Sequence, residues 1–158
     1  MKTTFLILTI LFLLFIIYFF ILGINSKSKT IPGLIDGRLS NCPDSPNCIC
    51  TENKDHTDHY MSPINITEHS DLDFNPFLTL KRIVIDIGGT IKIENENYIA
   101  AMFSSSIFGF VDDFEIRIDK KNNMIHLRSA SRVGRSDFGV NKKRIELVKK
   151  RYNAASFE

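Results

Sequence analysis

An unbroken apolar run near the N-terminus limits what this 158-residue chain can fold into. From Phe5 to Leu22 the sequence reads FLILTILFLLFIIYFFIL, in which nothing is charged and only Thr9 is polar. Eighteen helical residues span about 27 Å, close to the hydrocarbon thickness of a bilayer. A core helix that is apolar on every face would need protein all around it, and the rest of the chain is too short to supply that. The run therefore predicts a transmembrane helix.

A cleaved signal peptide is the main alternative to a permanent anchor. The apolar region of a signal peptide is usually about 7–15 residues long, with small residues at the cleavage site. Here the run is longer, and Leu22–Ser26 lacks that pattern. We expect an uncleaved anchor over residues 1–24, a linker over 25–38 and one domain over 39–158. Basic residues on the two sides of the run are too evenly balanced to fix its orientation.

Hydrophobic periodicity after residue 73 predicts a small α+β domain. Asn75 and Pro76 suit the start of a helix, and Gly88 and Gly89 suit its end. The segments TIKIE and YIAAMFSS are typical of strands. Towards the C-terminus, NKKRIELVKKRY has helical spacing, with Asn141 as the predicted N-cap. The predicted domain has two helices and an antiparallel sheet of about four strands.

Two of these strands can be aligned residue by residue. Asp113–Asp119 and Met124–Ala130 flank the turn sequence KKNN. If the hairpin closes there, Ile116 faces Leu127 on one side of the sheet, and acidic and basic residues meet on the other. A single register that satisfies both faces predicts an antiparallel hairpin.

All three cysteines lie within the stretch NCPDSPNCIC, as Cys42, Cys48 and Cys50. Their spacing differs from the C-x₂₋₄-C turns of structural zinc sites, although His56 and His59 follow. No C-x-x-C redox motif is present. Two prolines restrict the loop and lower the entropy cost of closing it. The spacing alone leaves open a disulfide between the first two cysteines, a zinc site and reduced cysteines in a cytosolic domain.

The segment RSASRVGRSDFGVN combines three arginines, three serines and two glycines before the last predicted helix. Guanidinium groups, glycine-rich backbone and helix N-termini all favour anions. The alternative is that its arginines form structural ion pairs with Asp113 and Glu115. The segment matches neither the P-loop nor the dinucleotide-binding fingerprint. The candidate ligand-binding residues are Arg128, Ser129, Ser131, Arg132, Arg135, Ser136 and Asp137.

Charge is unevenly divided along the chain. Residues 25–119 carry 15 acidic and 8 basic side chains, whereas residues 120–158 carry 3 acidic and 11 basic ones. The basic part would attract the acidic part or an anionic partner. A net charge of only +2, with no interleaving of basic and aromatic residues on a strand, argues against nucleic-acid binding.

Four segments, in this order, resemble one family: CPDSPNC, HYMSPI, FSSSIFGFVDDFEIRID and IHLRSASRVGRSDFGVNKKRIE. Over Leu39–Tyr152 the chain is similar to the domain of unknown function 1499 family. The resemblance implies a small α+β domain, often behind an N-terminal hydrophobic segment, and implies no reaction and no functional residues. The family keeps the first two cysteines, Cys42 and Cys48, and usually has a small hydroxyl residue at the position of Cys50. We therefore predict a disulfide between Cys42 and Cys48, with Cys50 free.

These features predict a single-pass membrane protein whose domain is a non-catalytic binding or accessory module. It would present the arginine–serine segment to an anionic small molecule or a protein partner, without a metal or cofactor. The alternative is an enzyme of unknown class that uses Arg128, Arg132 and Asp137 with His59, which requires a histidine near Ser131 or Asp137. Because disulfides persist in oxidising compartments, the predicted disulfide favours a domain on the non-cytosolic side.

Overall fold

A computed structural model of the chain describes residues 1–55, 57–66 and 74–155. Over these residues the chain forms an N-terminal apolar helix followed by an α+β domain with two further helices. The elements are α1 (Lys2–Ser28), β1 (Leu34–Ile35), β2 (Arg38–Leu39), β3 (Cys48–Cys50), β4 (Ile64–Asn65), α2 (Pro76–Asp86), β5 (Thr90–Asn95), β6 (Tyr98–Ser104), β7 (Val111–Asp119), β8 (Met124–Ser131) and α3 (Val140–Ala155).

The predicted α+β class is confirmed, and the main sheet is larger than expected. The four expected strands are β5 to β8, and within the described residues β3 and β4 bring the sheet to six. Its order is β3-β8-β7-β6-β5, with β4 also paired to β8. Both added strands are two or three residues long, too short to show an alternating pattern in the sequence.

Helix α1 is long and apolar enough to cross a membrane. It continues beyond the apolar run to Ser28, and over most of its length its side chains are exposed. Its buried residues, Gly23 and Ser26, both lie near its C-terminal end. That end is therefore the part of α1 that packs against the domain.

The hairpin of β7 and β8 has the predicted register. Ile116 is paired with Leu127, and both side chains are fully buried. Glu115 is paired with Arg128 on the opposite face of the sheet. The prediction from the two alternating patterns is confirmed, and a shift by one residue would move Ile116 or Leu127 to the opposite face of the sheet.

Helices α2 and α3 cover one face of the sheet and form the larger core. Asn75 caps α2 as predicted, since its side-chain oxygen accepts hydrogen bonds from the backbone N–H groups of Phe77 and Leu78. The fully buried side chains of this core include Leu80, Val84, Ile99, Phe114, Ile116, Ile125, Leu127, Ile145 and Val148.

The opposite face of the sheet is covered by the irregular segment that follows α1. Ile31, Leu39 and Cys42 of this segment pack against Tyr98 and Ala100 of β6. A second, smaller core results, with Cys48, Cys50 and Ala130 as its other members. The segment that lacked hydrophobic periodicity is thus a cover for one side of the sheet.

The start of α3 differs from the prediction. Asn141 is not its N-cap, because α3 already begins at Val140 and Asn141 is buried inside its first turn. The carboxylate of Asp137 instead accepts hydrogen bonds from the N–H groups of Gly139 and Asn141. Phe138 and Gly139 both have positive φ, and this tight turn brings Asp137 close to the helix.

Candidate binding site at the anchor end of the domain

The arginine–serine segment lies at the end of the sheet that contacts α1. This end, here called the anchor end, comprises the last residue of β6, the first of β7 and the last of β8. Ser104 and Val111 are paired there, and Ser131 is paired with Asp112. The loop that follows β8 therefore begins beside the last turns of α1.

The last turns of α1 fit closely against β7 and the loop before it. The Ser26 hydroxyl accepts a hydrogen bond from the Val111 N–H at 3.1 Å and donates one to the Gly23 carbonyl at 2.7 Å. A Cβ atom added at Gly23 would overlap the backbone carbonyl of Phe108. Glycine is therefore required at this position for α1 to approach the domain.

Arg132 connects the sheet to the C-terminal end of α1. Its guanidinium pairs with the Asp113 carboxylate at 2.7 Å and donates hydrogen bonds to the backbone carbonyls of Ser26 and Lys29. The Lys29 ammonium in turn donates to the Arg132 carbonyl at 2.6 Å. The last carbonyls of a helix have no partner within the helix, so Arg132 supplies donors and positive charge where both are needed.

Arg128 belongs to a buried cluster on the sheet face that the irregular segment after α1 covers, here called the covered face. Its guanidinium pairs with Glu115 at 2.9 Å, and the Tyr98 hydroxyl donates to the other carboxylate oxygen at 2.6 Å. Burial raises the pKa of Glu115, although the hydrogen bond from Tyr98 and the charge of Arg128 oppose the rise. Burial beside this carboxylate also raises the pKa of Tyr98, and burial raises that of the nearby Cys50 thiol.

Ser129 and Ser131 point to the other face, into a network with α3. The Ser129 hydroxyl donates to the Asn141 side-chain oxygen at 2.6 Å and accepts from Arg144 at 2.9 Å. The Asn141 amide donates to the Ser131 hydroxyl and to the Asn47 carbonyl, both at 2.9 Å. Sequence reasoning missed Asn141 and Arg144 as partners of these serines, although their spacing of three residues places them on one helix face.

Of the seven candidate residues, Arg135 and Ser136 are the exposed ones. Within the described parts of the chain, Arg135 has no hydrogen bond or ion pair. The Ser136 hydroxyl accepts a weak hydrogen bond from the Phe138 N–H at 3.4 Å. The structure therefore brings the candidate residues to one end of the domain but divides them between two sheet faces and an exposed loop. For Arg128 and Arg132 the contacts are those of the alternative prediction, structural ion pairs.

The cysteine stretch forms the edge of the covered face. A disulfide joins Cys42 to Cys48, and Cys50 is free and buried. No group of three or more His, Cys, Asp or Glu side chains in the described ranges could hold a metal ion. Of the two histidines in the zinc alternative, His59 contacts the Cys48 carbonyl at 3.0 Å, and His56 lies outside the described residues.

The histidines are not placed as the enzyme alternative requires. His126 contacts the Thr51 carbonyl at 3.3 Å, and burial lowers its pKa. His59, as described above, contacts backbone in the cysteine stretch. Among the residues that the structure describes, neither histidine is hydrogen-bonded to Ser131 or Asp137.

Comparison with protein families gives a match over most of the chain. The model of a family described as "Protein of unknown function (DUF1499)" matches residues 38–151, which include both disulfide cysteines and the whole arginine–serine segment. No curated protein matches the chain.

Replacing Arg128 with Met should destabilise the domain, because Glu115 would remain buried without its cation. Loss of one partner of a buried ion pair costs about 3–5 kcal/mol. The pKa of Glu115, already raised by burial, should rise further. A carboxyl group with a raised pKa in the folded state penalises folding at pH values above that pKa, and the penalty disappears below the unfolded value. The deficit should therefore be large at pH 7 and shrink on acidification to pH 5.

Urea unfolding of the detergent-solubilised full chain, followed by tyrosine fluorescence, measures this effect, since the chain has four tyrosines and no tryptophan. The matched control is Arg135→Met, which removes an exposed arginine and should change stability by less than about 0.5 kcal/mol. The double variant Glu115→Gln/Arg128→Met should regain much of the loss. Equal stability of Arg128→Met and Arg135→Met would contradict a structural role for Arg128.

Proposed function

This chain belongs to the DUF1499 family of proteins of unknown function, and we propose that it is a single-pass membrane protein whose domain is a non-catalytic binding or accessory module. The observation that carries the proposal is the packing of α1 into the domain at Gly23 and Ser26. This packing is part of the folded structure of the domain itself. It supports the proposal that α1 is not cleaved from the domain after membrane insertion.

Cleavage of α1 as a signal peptide would disrupt this packing. A cut near Ser26 would remove Gly23 and disrupt the surroundings of Ser26, whose hydroxyl accepts a hydrogen bond from the Val111 N–H and whose carbonyl accepts one from Arg132. The Val111 N–H is buried at this point, and a buried donor without a partner costs about 1–3 kcal/mol. An uncleaved anchor leaves these groups paired.

The same contacts support a fixed orientation of the domain on the membrane. Phe108 packs against Phe19 and Phe20 of α1, with ring centroids 5.3 Å apart in both pairs. Together with the contacts of Arg132, they hold α1 against the domain in addition to the covalent linker. The anchor end of the domain would then face the lipid headgroups.

The proposed ligand site is the exposed loop after β8, centred on Arg135 and Ser136. It begins directly after Arg132, whose carbonyl accepts a hydrogen bond from the Lys29 ammonium at the end of α1. Exposed guanidinium and ammonium groups attract phosphate and carboxylate. An anionic small molecule, or an acidic segment of a partner protein beside the membrane, has the chemistry that fits this loop.

The disulfide supports a domain on the non-cytosolic side of the membrane. Disulfides persist in oxidising compartments, whereas cytosolic thiols are kept reduced. The bond between Cys42 and Cys48 closes a loop in the covering segment, next to the buried and free Cys50. The N-terminal end of α1 would then face the cytosol.

Alkaline carbonate extraction of membranes should leave the full-length protein in the pellet, because α1 would hold it in the bilayer. Intact mass spectrometry should show the unshortened chain. A double variant with Leu11→Arg and Leu14→Arg should be extracted, since each charge at the helix centre costs about 2.5–3.5 kcal/mol. A soluble product with a new N-terminus near Ser26 would contradict the proposed anchor.

Alkylation of cells lysed directly into denaturant and thiol reagent, without reductant, should modify one cysteine per chain, because only Cys50 carries a free thiol. The mass of the purified protein gives the number. After reduction, three cysteines should be modified. Three modified cysteines without reduction would contradict both the disulfide and the non-cytosolic placement.

Native mass spectrometry of the full chain, purified in mild detergent from its own cells, should show added mass from an anionic ligand or a partner. Arg135→Ala should lose this mass, because the guanidinium would no longer hold the anion. Arg151→Ala removes an exposed arginine near the other end of α3 and should retain it. Equal retention by both variants, or wild-type protein without added mass, would contradict the role of the loop.

A further inference from the structure

A short loop at the anchor end is separate from the arginine–serine segment and from the proposed ligand site around Arg135. Residues Ser105–Phe110, here called the apolar loop, join β6 to β7 with the sequence SSIFGF. The loop is closed by its own hydrogen bonds, from the Ser105 N–H to the Phe110 carbonyl at 2.8 Å and from the Phe110 N–H to the Ser105 hydroxyl at 2.9 Å. Its shape is therefore defined by its own backbone and hydroxyl groups.

The apolar loop exposes large apolar side chains and contains no charge. Ile107 at its tip is 73% exposed, and Phe108 and Phe110 are half-buried. An exposed isoleucine next to two phenylalanines is unfavourable in water, at about 25 cal/mol per Å² of apolar surface. Clustered exposed apolar side chains of this kind mark a surface that contacts another apolar phase or molecule.

The position of the apolar loop along α1 identifies what it contacts. The ring of Phe108 packs on Phe19 and Phe20, and that of Phe110 lies 6.1 Å from Phe19. Both helix residues belong to the apolar run that ends at Leu22. At 1.5 Å per residue, the loop therefore reaches about 3–5 Å past the end of that run, towards the middle of the span.

A cation lies at the level expected for the lipid headgroups. The Lys27 ammonium is beside Gly109, on the domain side of the aromatic contacts. Basic side chains at such a level extend towards lipid phosphates, while apolar and aromatic side chains lie deeper. The order of Lys27, Gly109 and Phe108 along α1 matches the change from headgroups to acyl chains.

We infer that the apolar loop inserts into the bilayer beside α1, with Ile107 in contact with lipid acyl chains. The inference rests on the proposed membrane anchor and adds a second membrane contact from the folded domain. Lipid is the occupant that these contacts favour, because at the level of Phe19 and Phe20 the remaining surface of α1 is itself in the bilayer. Interfacial helices bury their apolar face by about 5–10 Å, so the loop would be inserted to a shallower level than such a helix.

An environment-sensitive fluorophore on Ile107→Cys tests the inference in the full chain. The background variant Cys50→Ala removes the free thiol, and the protein is reconstituted into phosphatidylcholine vesicles containing a lipid with a spin label at acyl carbon 5. The matched control is Ile35→Cys, which replaces an isoleucine that is 58% exposed. Ile35 lines a groove with Asp119 and Lys121, at the opposite end of the sheet from α1.

The fluorophore at position 107 should have blue-shifted emission and be quenched by the spin-labelled lipid at least about twofold more than the one at position 35. Vesicle flotation tests the membrane anchor separately from the insertion of the apolar loop. A chain that floats but gives equal quenching at both positions overturns the inference and leaves the anchor intact. A chain that does not float overturns the anchor and the inference together. Blue-shifted emission without quenching would also overturn the inference, because protein, such as a second copy of the chain, would then cover the loop.

Discussion

The contacts of Arg132 determine how the rest of this protein is arranged. One guanidinium group pairs with the Asp113 carboxylate on β7 and donates to the carbonyls of Ser26 and Lys29 at the end of α1. The sheet carboxylate and the carbonyl end of the helix dipole are both negative, so a cation between them holds the two elements together. Its side chain is almost fully buried, where solvent screens such interactions weakly. Together with the packing of Phe108 on α1 and the hydrogen bond between Ser26 and Val111, this cation fixes the apolar helix against one end of the sheet.

The alternation of side chains between the two faces of β8 explains why the seven candidate residues do not form a single site. Successive side chains of β8 point to opposite faces, so Arg128 and Arg132 belong to the covered face and Ser129 and Ser131 to the face under α3. Three arginines within eight residues therefore have three environments. One is buried beside Glu115, one binds the end of α1, and Arg135 follows the strand and is exposed. The anionic-ligand proposal is confined to the last of these because only there is a guanidinium accessible.

How much could be predicted from the sequence depended on whether the determining contacts were local. The register of β7 and β8 and the cap at Asn75 were predictable, because a hairpin and a capped helix leave patterns within a few residues. Strands β3 and β4 were not, because they exist through pairing with β8, whose paired residues are 59–82 positions away in the sequence. The role of Asn141 was also missed, because its partners lie on β8 and in the cysteine stretch. The packing at Gly23 has no local pattern: a glycine near the end of an apolar run is informative only once Phe108 is known to contact it.

A continuous series of contacts leads from the end of α1 through the covering segment and the sheet and back to α1. The backbone leaves α1 at Ser28 and crosses the sheet as the covering segment, which the disulfide joins to β3 at Cys48. Strand β3 pairs with β8, and directly after β8 the side chain of Arg132 returns to the last turn of α1. Each link limits the movement of the next, and the cover excludes water from the Glu115–Arg128 pair. A domain that is tethered by a flexible linker samples many orientations. Here the orientation relative to α1 is a property of the fold, so both the loop around Arg135 and the apolar loop have defined positions relative to the bilayer that α1 is proposed to span.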